Sequence, residues 1–101
     1  MVKILQERLV NRKDFHRLLG CLKDLRAVAL HQPGYVTGET LVKGVDPLTV
    51  LVITTWISYE HWEAWVTSQT RIELNNLIVP LLLEEPKISA YNMTEDTYAG
   101  T

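Results

Sequence analysis

Cysteine is almost missing from this chain of 101 residues: Cys21 is the only one. A single thiol excludes an internal disulfide and a multi-cysteine metal cage. Basic clusters are missing too. Ten Lys and Arg stand against twelve Asp and Glu, a net charge of -2 with no Lys/Arg run, and that argues against a nucleic-acid partner. No apolar run approaches the roughly 20 residues that span a bilayer, so no membrane partner is expected. Met1–Val10 carries Lys3, Glu7 and Arg8, unlike the apolar stretch of a signal peptide, and the expected location is cytoplasmic. The five glycines form neither G-x-G-x-x-G nor a phosphate-binding loop. No cofactor is expected.

What is present is an ordinary globular mixture, 47% hydrophobic and 22% charged, which excludes disorder and collagen-like repeats. The length suits one domain. A chain this size buries roughly 65% of its unfolded surface, enough for a modest core. The apolar content is high for so small a body, and much of it sits in one predicted strand.

Val2–Val10 reads as a strand, with Ile4 and Val10 on one parity and Leu5, Glu7 and Leu9 on the other. A polar turn over Asn11–Lys13 leads to Asp14, a suitable N-cap. Phe15, Leu18, Leu19, Leu22, Leu25 and Ala29 recur at helical spacing. Gln32-Pro33-Gly34 ends that helix. Tyr35–Lys43 is a second strand, with Val36, Thr40 and Val42 on one parity, and Gly44-Val45-Asp46-Pro47 turns the chain into a third. The third strand, Leu48–Ile57, reads LTVLVITTWI. Such a run predicts burial on both faces. Ser58 can cap a helix to about Ser68 that carries Trp62 and Trp65, and Thr70-Arg71-Ile72-Glu73 fits a capping box for another. Pro80 should kink or end that helix. Lys87–Met93 is the last strand, and Thr94–Thr101 reads as a polar tail after a domain over 1–93.

The order β-α-β-β-α-β, with right-handed crossovers, predicts an α+β, ferredoxin-like fold: a four-stranded antiparallel sheet with helices on one face. Those helices leave the other face open, yet Leu48–Ile57 expects cover on both. A homodimer packed through the open sheet face resolves the conflict.

Thr55-Trp56-Ile57-Ser58-Tyr59-Glu60-His61-Trp62-Glu63-Ala64-Trp65 resembles the signature of the antibiotic biosynthesis monooxygenase (ABM) domain family. Pro33-Gly34-Tyr35, Pro80-Leu81-Leu82 and the stretch from Glu85-Pro86 to Tyr91 resemble other family segments in order and spacing. The resemblance implies a dimeric α/β barrel with a pocket between sheet and helices. It leaves the reaction open, because the family includes cofactor-free oxygenases of polyketide anthrones, heme-degrading oxygenases and quinol oxidases.

The heme-degrading branch's Asn, Trp and His fall on Glu7, Trp65 and Asn75, so only the tryptophan matches. Without a proximal imidazole, heme degradation is disfavoured. His16, His31 and His61 lie elsewhere without metal-ligand spacing, and no metal site is expected. The anthrone-oxygenase branch's Asn, Trp, Tyr and Arg fall on Val52, Trp56, Trp62 and approximately Asn76. Only Trp56 matches outright, so that branch's substrate does not carry over.

Trp56, Trp62 and Trp65 could together stack a flat aromatic ligand, although core packing is the alternative for all three and the better account of Trp62 or Trp65 taken singly. Tyr35 and Thr54 are further candidates for binding the substrate. Glu7, whose family counterpart faces the pocket, is the candidate general base. An ion pair with Arg71 or Lys87, or a solvent-facing edge position, explains Glu7 as well. Asn75 could donate a hydrogen bond to a ligand oxygen. The reaction these residues suggest is cofactor-independent oxidation by O2 of a small electron-rich aromatic: a phenol, hydroquinone or polyketide type. The alternative is a non-catalytic dimeric domain of the same fold that binds a small ligand or regulates.

Overall fold

The buried face of the first strand sets the architecture. In the computed structural model, which describes residues 1–94, β1 (Val2–Val10) alternates buried and half-buried at every position. Val2, Ile4, Gln6, Arg8 and Val10 face inward. α1 (Phe15–Ala29), β2 (Tyr35–Gly44), β3 (Leu48–Trp56), α2 (Tyr59–Val66), α3 (Gln69–Ile78) and β4 (Lys87–Asn92) follow, with short 3-10 turns at Arg12–Asp14 and Val79–Leu81. The sheet order is β2-β3-β1-β4, every neighbouring pair antiparallel. This is the ferredoxin-like α+β arrangement. The molecule measures 43 × 35 × 19 Å, and its short dimension is that of two layers.

Two hydrophobic clusters fill the space between sheet and helices. One joins Val2, Ile4, Ala29, Trp56, Trp62 and Trp65; the other joins Val10, Leu18, Leu22, Leu48, Val50 and Ile78. They divide where the inward face of β1 changes from Ile4 to the polar pair Gln6 and Arg8 before returning to Val10. Polar side chains at the centre of a buried strand cannot close an apolar core, and a cavity opens there instead.

Several boundaries differ from the sequence reading, each for a local reason. β3 ends at Trp56, because the Ile57 amide turns aside to donate to the Gly34 carbonyl at 2.8 Å. Ser58 caps α2, its hydroxyl accepting from the His61 amide. α3 starts at Gln69 rather than at the Thr70 box, because the Ser68 hydroxyl accepts from the Arg71 amide first. Asp14 makes no side-chain cap. Pro80 ends α3 in a 3-10 turn.

β2 carries a bulge. Tyr35 pairs with Trp56 and Thr37 with Thr55, which leaves Val36 as the extra residue. The extra residue switches parity, so Tyr35 lies on the helix side with Gly38 and Thr40. Val36 therefore does not share a face with Thr40 and Val42 as alternation alone predicts. Gly34 has a φ of +84° and packs directly on the His61 ring, where any Cβ would overlap its Cβ and Cγ. That contact docks the start of β2 onto the first turn of α2. Of the predicted polar tail, only Thr94 lies among the described residues.

Candidate functional site

A cavity of about 230 Å³ lies between the central strands and α1. From β1 come Gln6 and Arg8; from β3 Val52, Thr54 and Trp56; from β2 Tyr35, Gly38, Glu39 and Thr40. α1 contributes Leu19, Leu22, Lys23, Leu25, Arg26 and Ala29, a single face at helical spacing. Trp62, Trp65 and Arg71 close it from α2 and α3. Lys23, Arg26, Glu39 and Thr40 are exposed, so the mouth opens between α1 and β2. The Arg26 guanidinium donates to the Gly38 carbonyl at 3.0 Å and ties the two lips together.

The aromatic wall is well fixed. Trp56 is 1% exposed, and its indole N–H donates to the Thr54 hydroxyl at 3.0 Å. The Tyr35 ring meets Trp56 edge-on, centroids 5.3 Å apart at 89°. Gly38 leaves room for the tyrosine hydroxyl, because a Cβ there would sit 2.6 Å from it. That hydroxyl is buried and has no hydrogen-bond partner among the described residues.

The polar floor is unusual. Arg8 is 2% exposed and donates from one terminal nitrogen to Gln6 Oε1 at 2.7 Å. Its Nε is buried and unpartnered among the described residues. Arg71 is also buried. Burial and the neighbouring Arg71 charge lower the Arg8 pKa to about 10, and burial also lowers that of Arg71. Among the described residues, no carboxylate counters either shift. Two guanidiniums thus share one small cavity with no countercharge among the described residues, a costly arrangement.

The structure brings Trp56, Trp62, Trp65, Tyr35 and Thr54 together around the cavity. It does not bring Glu7 there, which corrects the expectation that Glu7 faces the pocket. Glu7 has the other parity of β1 and points to the open side of the sheet, opposite Leu51 on β3 and Lys87 on β4. It lines a shallow depression there with Lys43, Thr49, Glu84 and Lys87. Asn75 is half-buried on α3 and does not line the cavity either. Sequence reasoning missed Gln6, Arg8 and Arg71. The signal was present in β1, where Gln6 and Arg8 share the parity of Ile4 and Val10, the residues any inward face would use.

None of the three histidines lines the cavity; His61 is held by Ser58, its Nδ1 2.6 Å from the hydroxyl. No imidazole is therefore placed to hold heme iron in it, and the donor set does not fit that group. Among the described residues, no cluster of three or more His, Cys, Asp or Glu could hold a metal ion. Among them also, no helix is long and apolar enough to cross a membrane.

No family model matches the sequence, and neither does any curated protein. Solved structures do match. A conserved protein from Methanosarcina mazei Go1 superposes with a TM-score of 0.84 at 15% identity, over 92% of each chain. An antibiotic biosynthesis monooxygenase superposes at 0.82 and 14% identity, over 93% of this chain and 99% of that one. SnoaB, a cofactor-independent oxygenase from Streptomyces nogalater, superposes at 0.79 and 10% identity, over 94% of this chain and 95% of that one. The fold of this chain is that of the antibiotic biosynthesis monooxygenase structures, in agreement with the resemblance its tryptophan-rich segment carries.

Proposed function

We propose that this chain is a cofactor-independent monooxygenase that oxidises a small electron-rich aromatic with O2 in the cytoplasm. The observation that carries the reading is the tryptophan-walled cavity set over two buried arginines. The similarity in fold to SnoaB supports it.

The chemistry follows from the lining. A phenol placed against Trp56 meets the positive field of Arg8 and Arg71, which favours its phenolate. Among the described residues, the only carboxylate on the lining is Glu39, exposed at the mouth, and the proton leaves to solvent. The phenolate is electron-rich enough to reduce O2. One oxygen atom becomes bonded to the ring carbon para to the oxyanion. Loss of that carbon's hydrogen with the other oxygen, as water, leaves a quinone. One phenol and one O2 give one quinone and one water. The apolar wall keeps bulk water from the reacting carbon.

Oxygen uptake with phenols, hydroquinones and anthrones tests this reading. Quinone should form with one O2 consumed per phenol. Arg71→Gln should slow turnover at least 10-fold, and Glu7→Gln should leave it within 2-fold of wild type. Absence of uptake with all three classes would overturn the reading in favour of a ligand-binding or regulatory domain.

We also propose a homodimer through the open face of the sheet. Leu5, Leu9, Leu51 and Ile53 face that side with half-buried side chains, and Leu41 and Tyr91 flank them at 50% and 59% exposure. Apolar residues ranged across a sheet face call for cover. Sedimentation equilibrium should give the mass of two chains, and Leu51→Lys should shift it to one. A monomeric wild type at micromolar concentration would refute the assembly.

A further inference from the structure

We propose that the cavity recognises an aromatic carboxylate, the acid group seated on Arg8 and Arg71 and the ring against the tryptophan wall. The inference rests on the same cavity as the oxygenase reading and names the ligand class for it.

The charge distribution points this way. The chain is net negative, with twelve acidic residues against ten basic. Its cavity is the reverse: among the described residues, Arg8, Lys23, Arg26 and Arg71 line it against Glu39 alone. Burial sharpens the contrast. Arg8 and Arg71 are 2% and 6% exposed, whereas Glu39 sits in solvent at the mouth. A buried cation is tolerated when a partner supplies the missing charge, and no carboxylate among the described residues counters either arginine.

The free donors fit a carboxylate. Gln6 takes up one terminal nitrogen of Arg8, but the buried Nε–H has no acceptor among the described residues. A planar acid can accept from an arginine through two oxygens, which a single phenol oxygen cannot match. The buried Tyr35 hydroxyl, also unpartnered, adds a donor on the aromatic side. Lys23 and Arg26 at the mouth would draw an anion inward. The remaining lining is mostly apolar and aromatic, so a small inorganic anion would leave it empty.

Binding of 2-naphthoate, 2-naphthamide and acetate to the intact protein tests the proposal without any turnover. Calorimetry and quenching of tryptophan fluorescence give the affinities. Naphthoate should bind at least 10-fold tighter than the isosteric amide, and acetate should not bind at millimolar concentration. Arg71→Gln and Arg8→Gln should each weaken naphthoate at least 10-fold and change the amide less than 3-fold. Equal affinity for acid and amide, or no naphthoate binding, would overturn the proposal and leave oxygenation of neutral phenols open to the uptake assay. Should either variant fail to fold, thermal shifts of the wild type decide. Naphthoate must raise the unfolding temperature more than the amide does, and equal shifts refute the carboxylate.

Discussion

Replacing Gln6 and Arg8 together by leucine and methionine is expected to stabilise the protein while destroying its recognition of anions. The expectation follows from what each side chain has for company. Arg8 is 2% exposed, bonded among the described residues to Gln6 alone, and beside a second buried cation. Burial and the Arg71 charge hold its pKa below that of the free side chain, at about 10, so keeping it charged costs free energy in the folded state. Replacing buried ionic groups with apolar ones of similar volume often stabilises by about 1–4 kcal/mol. Both residues must change. Arg8→Met alone would strand Gln6 Oε1, which costs about 1–3 kcal/mol and could cancel the gain. For a domain of this size the pair should raise the unfolding temperature by at least about 4 °C, read by calorimetry.

The pH dependence has a definite sign. Arg8 is a base whose pKa is lower folded than unfolded. Below about pH 10 both states hold the proton, so the full cost applies at neutral pH. Above about pH 10 and up to the free side chain's own range the unfolded chain binds more protons, and this group's contribution to stability rises with pH. The paired variant therefore keeps its advantage throughout the neutral range. If it instead unfolds several degrees below wild type, the charge of Arg8 is already neutralised within the free protein. The anion-binding role would then lose its physical basis.

The same residue shows how far the sequence could be read. Element order, the turns at Pro33-Gly34 and Asp46-Pro47, the Ser58 cap and the tryptophan segment are local patterns that survive into the fold, whereas the Asp14 cap and the Thr70 capping box do not. The direction of β1 is different in kind. Both parities of Val2–Val10 carry apolar residues, since the inward face is Val2, Ile4 and Val10 and the outward face is Leu5 and Leu9. Alternation alone cannot say which set meets the helices. Assigning Glu7 to the pocket placed Arg8 outside it, and one residue of parity exchanged the sign of charge in the site. The bulge at Val36 is equally invisible to alternation, and it decides that Tyr35 faces the cavity. Trp56, by contrast, ends β3 on the inward face that Leu48 and Val50 already define.

That position makes Trp56→Ala the most damaging single truncation expected at the site. Trp56 is 1% exposed and packs in the cluster with Val2, Ile4, Ala29, Trp62 and Trp65. Truncating a buried tryptophan costs about 3–5 kcal/mol, because the cavity left behind collapses only partly. A domain of this kind has about 5–15 kcal/mol in total, so the variant should lose a large share of its stability. Three named contacts go with the ring: the edge-on pair with Tyr35, the hydrogen bond to Thr54, and the wall a bound ring would stack on. Trp56→Phe separates them. It keeps an aromatic face but loses the indole N–H, and should cost about 1–2 kcal/mol. Urea denaturation measures both variants, and aromatic ligand affinity should fall for alanine far more than for phenylalanine. A loss below about 1 kcal/mol for Trp56→Ala would mean that the cavity closes over the vacancy. In that case the wall is soft, and it cannot orient a flat ligand over Arg8 and Arg71.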